Sequence, residues 1–262
     1  MTSPTPSYVR VGKIPFQVTT LMLARDAILE YAKGRSPIPV RLSNAYCVSL
    51  ASNDPSYAAL TNGPGVTFPD GTPVVWFMRT KNRMAQTVRG PSLFTAVMEA
   101  GRSAGIQHFL LGTDDTTLSN LVTSLERKFP GVSIAGVHAP AFGPLDEAFY
   151  KEAVKLIQTA NPDLIWIALG TPKQDFAAAE LSKRTGLPCI AVGAAFDFVS
   201  GVTKEAPKWV QGTGIEWIYR FSQEPRRLWR RYTFGNLRFL YSAIVHSLCI
   251  RSHNPTKIER TA

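Results

Sequence analysis

Six short apolar runs, set along residues 38–192 with helix-length segments between them, constrain this chain more than any other feature. They are IPVRL (38–42), VTF (66–68), IQHFLL (106–111), VSIAGV (132–137), LIWIAL (164–169) and CIAV (189–192). Between them Leu118, Val122, Leu125 and Phe129 recur at helical spacing, as do Phe149, Ala153, Leu156 and Ile157. Residues 44–60 read as a helix that breaks near Asn53-Asp54-Pro55, and Pro91 suits the first turn of another. Strands alternating with helices of this length predict an α/β fold. The expected architecture is a Rossmann-like, mostly parallel sheet with helices on both faces.

The 262 residues are 45% hydrophobic and 18% charged, which excludes a disordered chain. Residues 8–207 read as the α/β core, and residues 1–7 and 251–262 as disordered tails. Residues 208–250 read as a basic, amphipathic helical appendage. From 208 to the end there are ten Lys/Arg against three Asp/Glu, so most of the formal +10 sits there. Trp229, Leu237, Leu240, Ile244 and Leu248 recur at helical spacing among those arginines, the composition of an interfacial helix. An anionic partner follows: a membrane surface, a phosphorylated ligand or nucleic acid. Aliphatic residues within the strip and the lack of a nucleic-acid motif favour the membrane. The longest uncharged apolar run, 239–250, is twelve residues, short of the ~20 that a span needs. With no apolar leader at the N-terminus, the expected location is cytoplasmic, peripheral on the inner face of the plasma membrane.

Three cysteines without a CxxC pair, and four histidines without HExxH spacing, predict no metal site. GxGxxG and GxxxxGK[ST] are both absent, which argues against a dinucleotide oxidoreductase and a P-loop enzyme. No cofactor is expected. In parallel α/β sheets ligands bind beyond the carboxyl ends of the strands. Five loops are therefore candidates: Ser43-Asn44, Pro69-Asp70-Gly71, Gly112-Thr113-Asp114, Gly170-Thr171-Pro172-Lys173-Gln174 and Gly193 to Asp197. Asp70 is the best placed carboxylate for general-base work, although Asp-Gly is also an ordinary turn. Lys173 and Gln174 open a helix and suit a phosphate and a uracil or sugar. Asp54 and Asp114 read as helix N-caps, and His108, inside IQHFLL, as a core histidine.

Several segments together resemble one family. They are SNAYCVSLASNDPSY, the Pro69-Asp70-Gly71 turn, RGPSLF, HFLLGT, PDLIWIALGTPKQD, VGAAFDFVSG, AP-x-W and GIEWIYRFSQEPRRLWRRY, in family order over roughly residues 38–240. The chain resembles the WecG/TagA/CpsF bacterial glycosyltransferases. The resemblance implies inverting, metal-independent transfer of a sugar from a UDP-sugar donor to a polyprenyl-pyrophosphate-linked saccharide, in cell-surface polysaccharide or teichoic-acid-type synthesis. It implies Asp70 as general base. It implies a donor site at Asn44, Gly71, Gly112, Thr171, Lys173 and Gln174. Arg220, Arg226, Arg227, Arg230 and Arg231 would meet the pyrophosphate or acceptor.

Four positions depart from the family pattern. Leu42 stands where a threonine is frequent, Thr87 replaces an arginine, Ser92 an aspartate and Glu205 an arginine. They keep open a second reading, a catalytically impaired membrane-associated scaffold of the same fold. A nucleic-acid-binding protein is the third. Sugar identity, polymer and homo-oligomeric state are not legible in the sequence.

Overall fold

The computed structural model describes residues 6–207 together with Tyr219, Phe239, Ser242 and Ala243. An antiparallel hairpin comes first, β1 (Tyr8–Val11) with β2 (Ile14–Gln17). Then come β3 (Pro39–Ser43), β4 (Val66–Pro69), β5 (Gln107–Gly112), β6 (Ser133–His138), β7 (Leu164–Ala168) and β8 (Cys189–Ala191). These six form one sheet in the order β4-β3-β8-β7-β5-β6, with every neighbouring pair parallel. The six apolar runs are these six strands, and the expected α/β architecture is the observed one.

The helices are α1 (Leu21–Lys33), α2 (Ala45–Asn53), α3 (Pro55–Asn62), α4 (Thr72–Arg79), α5 (Gly90–Gly101), α6 (Asp115–Lys128), α7 (Glu147–Ala160), α8 (Lys173–Thr185) and α9 (Ala195–Val199). Asp54 explains the break between α2 and α3. Its carboxylate accepts from the Ser56 and Tyr57 amides, and Pro55 takes the first helical position, where no amide is needed. Asp114 caps α6 in the same way through the Thr117 amide. The hairpin, α1, α4 and α9 were not assigned from the sequence. The hairpin strands and α9 are only four or five residues long, too short to show a period.

Pleating sends alternate side chains to opposite faces of the sheet. Val40, Leu42, Phe68, Leu110, Trp166 and Ile190 pack with α1, α5, α6 and α9. Phe109, Leu111, Ile165, Ile167, Cys189 and Ala191 pack with α7 and α8 on the other face. A third cluster joins the hairpin to α2 and α4 through Val11, Ile14, Phe16, Val48 and Met78. Phe239 and Ala243 belong to it: Phe239 meets Phe77 edge-on at 5.4 Å, and Ser52 Oγ donates to Ser242 Oγ. Burying a phenylalanine contributes about 1.5–3 kcal/mol. These described residues of the 208–250 segment are therefore core residues. The remainder of that segment, with its arginine strip, lies outside the described residues.

His108 is the core histidine expected. It is fully buried, accepts from Trp166 Nε1 at 3.1 Å, and is held neutral by burial, its pKa pulled down to about 4.

Gly112 ends β5 at φ +124°, and a Cβ there would stand 2.4 Å from the Ala168 carbonyl oxygen of β7. Backbone conformation and strand packing both require glycine at this position. Gly112→Ala should therefore lose about 2–4 kcal/mol of stability. Chemical denaturation measures this, and a wild-type midpoint would contradict the assignment.

Candidate active site

Because all six strands run parallel, the five polar loops leave the sheet at one edge. Asn44 follows β3, Asp70 follows β4, Thr113 follows β5, Gly170 to Lys173 follow β7, and Gly193 follows β8. The amide of Asp70 donates to the Ser43 carbonyl at 2.9 Å, continuing the β3–β4 ladder one residue past its last strand pair. Gly71 then turns the chain at φ +89° into α4, and a Cβ on it would lie 3.9 Å from Asn44 Cβ. Asn44 and the Asp70-Gly71 turn thus form one wall. Neighbouring strands are ~4.8 Å apart, so the β7 loop lies roughly 14 Å from Asp70 across β3 and β8. These loops line the carboxyl edge of the sheet as an elongated candidate cleft, with Asp70 toward its β4 end.

Asn44 caps α2: its Oδ1 accepts from the Tyr46 amide at 3.0 Å, with Cys47 Sγ at 3.7 Å. A ligand in the cleft would therefore meet its Nδ2. Gln174 sits in the first turn of α8, 2% exposed, with Nε2 donating to Thr171 Oγ1 at 3.5 Å. Its amide lies about 3.6–3.7 Å from where a Cβ on Gly193 would be, beneath the β8 loop. Its Oε1 is buried with no hydrogen-bond partner among the described residues. No side chain caps α8; its Gln174, Asp175 and Phe176 amides donate to the Gly170 and Pro172 carbonyls, and its start, the positive end of the helix dipole, lies at the carboxyl edge of the sheet. No side chain caps α4 either.

Lys173 is not gathered with these groups. Its ammonium donates to the Gly143 carbonyl and lies 5.8 and 5.9 Å from the Phe142 and Phe149 ring centres, so it holds the β6–α7 connection. Gly112 has the packing role given above. Arg220, Arg226, Arg227, Arg230 and Arg231 lie outside the described residues. Glu205, where the resembling family has an arginine, pairs with Arg89 at 2.8 Å.

Beneath the cleft lies a polar network that sequence reasoning missed. Asp175, next to Gln174, is 1% exposed, and its Oδ2 accepts from the Tyr57 hydroxyl at 2.7 Å. Arg41, pointing to the same face of β3, is equally buried. Its guanidinium donates to Thr67 Oγ1 and twice to the Pro64 carbonyl. Burial raises the Asp175 pKa to about 6, opposed by the Tyr57 hydrogen bond and the Arg41 charge. Burial raises Tyr57 as well, keeping its hydroxyl a donor. Cys47 and Tyr57 share one buried cluster, so a chain of neighbours runs from Asn44 through Cys47 and Tyr57 to Asp175. It ties the β3 loop to the start of α8. One signal was available: Arg41 is a charge inside an otherwise apolar strand, and such a charge needs a buried partner.

The network predicts a pH dependence. The folded-state pKa of Asp175 lies above its ordinary 3.8, so the native state holds the proton longer than the unfolded chain. The stability this contributes is complete below the unfolded value and is lost as pH rises to about 6. Asp175→Asn should remove that dependence. Between pH 4 and pH 7 the stability of wild type relative to Asp175→Asn should fall by roughly 2 kcal/mol. Denaturation midpoints at the two pH values test it; parallel curves would contradict a buried, titrating Asp175.

Comparison with known proteins identifies the family. The profile of the glycosyl transferase WecG/TagA/CpsF family matches residues 9–253. The N-acetylglucosaminyldiphosphoundecaprenol N-acetyl-beta-D-mannosaminyltransferase of Bacillus subtilis strain 168 is 28% identical over 186 residues, covering 69% of each chain. The protein of the same name from Bacillus spizizenii is 29% identical over 185 residues, again 69% of each. Among solved structures, a mutant arylmalonate decarboxylase covers 72% of this chain and 77% of its own at 16% identity, but a TM-score of 0.28 carries no argument. With its sequence matched almost end to end, the chain belongs to the WecG/TagA/CpsF family of glycosyltransferases.

Proposed function

We propose that this glycosyltransferase moves a sugar from a UDP-sugar donor to a polyprenyl-diphosphate-linked saccharide, with inversion and without a metal ion, and that Asp70 is its general base. The observation that carries the reading is the position of Asp70. It is the carboxylate at the end of the cleft opposite the uncapped start of α8, in a chain of this family. The names of the Bacillus relatives specify a diphosphoundecaprenol-linked acceptor and an N-acetylmannosaminyl group. The acceptor class is carried into the proposal and the sugar is left open, because Leu42, Thr87, Ser92 and Glu205 depart from the family pattern.

The reaction then runs in one displacement. The acceptor hydroxyl attacks the anomeric carbon from the face opposite the diphosphate. As the new C–O bond forms, its proton passes to the Asp70 carboxylate and the bond to the UDP oxygen breaks, with UDP leaving as the anion. The base must lie within hydrogen-bond reach of the hydroxyl while the leaving group lies on the far side. A cleft with Asp70 at one end and a helix N-terminus along it suits that division. The positive end of the α8 dipole would face the diphosphate charge, and Gln174 and the Asn44 Nδ2 the sugar or base. Arginines of the 208–250 segment would complete the charge balance by bidentate pairing with phosphate.

The test is transfer to a short-chain, soluble polyprenyl-diphosphate-sugar acceptor across a panel of UDP-sugars, in EDTA. At least one donor should release UDP with wild type, and Asp70→Asn should lower turnover about 10²-fold or more while folding normally. Normal turnover by Asp70→Asn at saturating substrate removes Asp70 as the base. Activity that EDTA abolishes and Mg²⁺ or Mn²⁺ restores removes metal independence.

A further inference from the structure

Large apolar side chains stand exposed at one place that neither the cleft nor the core accounts for. Trp76 on the outer face of α4 is 56% exposed, and Met84 just beyond it 69%. Met22 and Leu23, in the first turn of α1, are 52% and 60% exposed. Val74, Val75 and Met78 take the inner face of α4 and are buried, so Trp76 is not part of that packing. Exposure of this kind in adjacent elements marks an interaction surface.

The backbone brings these residues to one region. The Gln86 amide donates to the Thr19 carbonyl at 3.1 Å, which joins the segment carrying Met84 to the start of α1. Arg79 Nε donates to the Ala85 carbonyl at 2.9 Å, which folds that segment back on α4. The region also borders the cleft. The Val88 amide donates to the Pro69 carbonyl at 2.8 Å, beside Asp70. Because α1 runs back to the start of β3, its own first turn lies at the carboxyl edge of the sheet.

Charge identifies the partner. From residue 71 to 98 the sequence holds no Asp or Glu, but it holds Arg79, Lys81, Arg83 and Arg89. Arg89 pairs with Glu205, whereas Lys81 and Arg83 are exposed beside Met84. Exposed tryptophan and methionine flanked by cations suit the boundary between lipid headgroups and acyl chains. The neighbouring Phe77 meets Phe239 edge-on.

We propose that Met22, Leu23, Trp76, Lys81, Arg83 and Met84 form a docking face for an anionic phospholipid bilayer. The face rests on the transferase reading only for what lies across it, an acceptor held in lipid. It would bring the bilayer to the Asp70 end of the cleft independently of the arginine strip.

Co-sedimentation of the full chain with vesicles of phosphatidylglycerol and phosphatidylcholine tests it, against phosphatidylcholine alone. Two double variants are compared with wild type, Lys81→Glu with Arg83→Glu, and Trp76→Ser with Met84→Ser. Each changes exposed side chains, and thermal melts check that each folds. Each variant should lower partition onto the anionic vesicles by about tenfold or more while leaving turnover on the short-chain soluble acceptor unchanged. Wild-type partition by both variants would overturn the proposal. So would equal binding to neutral and anionic vesicles together with a dimer that Trp76→Ser with Met84→Ser disrupts, which would make the face a protein contact. Vesicle binding needs no sugar transfer, so the two readings fail separately. Loss of partition in the variants of a chain that transfers no sugar would keep the lipid face and remove the transferase reading.

Discussion

The geometry of the cleft depends on a carboxylate that the fold buries beneath it. Asp175 is tied to Tyr57 on α3 and lies in the field of Arg41 on β3, while its backbone forms the first turn of α8. Three elements distant in sequence thus converge on one acid. Burying an ionisable carboxyl is unfavourable, and a hydrogen bond from Tyr57 offsets only part of the cost, as the raised pKa records. What the arrangement gains is position. Gln174 is the next residue, and Asn44 is reached through Cys47 and Tyr57, so the walls of the cleft share one rigid support.

Charge is distributed by the same logic. Helices α2, α3, α6 and α7 are capped by Asn44, Asp54, Asp114 and Asp146, which satisfy their own amides. Helices α4, α5, α8 and α9 have no side-chain cap, and α4, α8 and α9 follow strands at the carboxyl edge of the sheet. Fixed backbone dipoles there face an anion with little reorganisation. Lys173 was the cation expected in this place, but it braces the β6–α7 connection instead.

The fold was legible because its signals are local. Six apolar runs with helical periods between them define a parallel sheet, and a parallel sheet gathers its loops at one edge. That made Asn44, Asp70 and Gln174 readable as residues of one sheet edge before any coordinates. Asp175 was not legible as a site residue. Its significance comes from Tyr57, 118 positions away, and no local pattern records such a contact. The contact of Lys173 was not legible for the same reason, since Gly143 lies 30 positions upstream. Gly112 resembled a ligand-approach glycine, but the nearest backbone is the adjacent strand. Trp76 lies next to Val75 in sequence, yet Val74, Val75 and Met78 are buried and Trp76 is exposed. Only the helical phase, with the hairpin beneath α4, turns it outward.

The central claim is that the carboxyl edge of the sheet holds the nucleotide diphosphate at the start of α8. Amide hydrogen exchange with and without saturating UDP tests this most directly. UDP should slow exchange in the first turn of α8, in the β3 and β4 loops at residues 44–46 and 70–72, and around Gly193. The face formed by α1 and the α4–α5 connection should exchange as before. Slowing confined to segments away from these loops, or no slowing there at saturating UDP, would contradict the account.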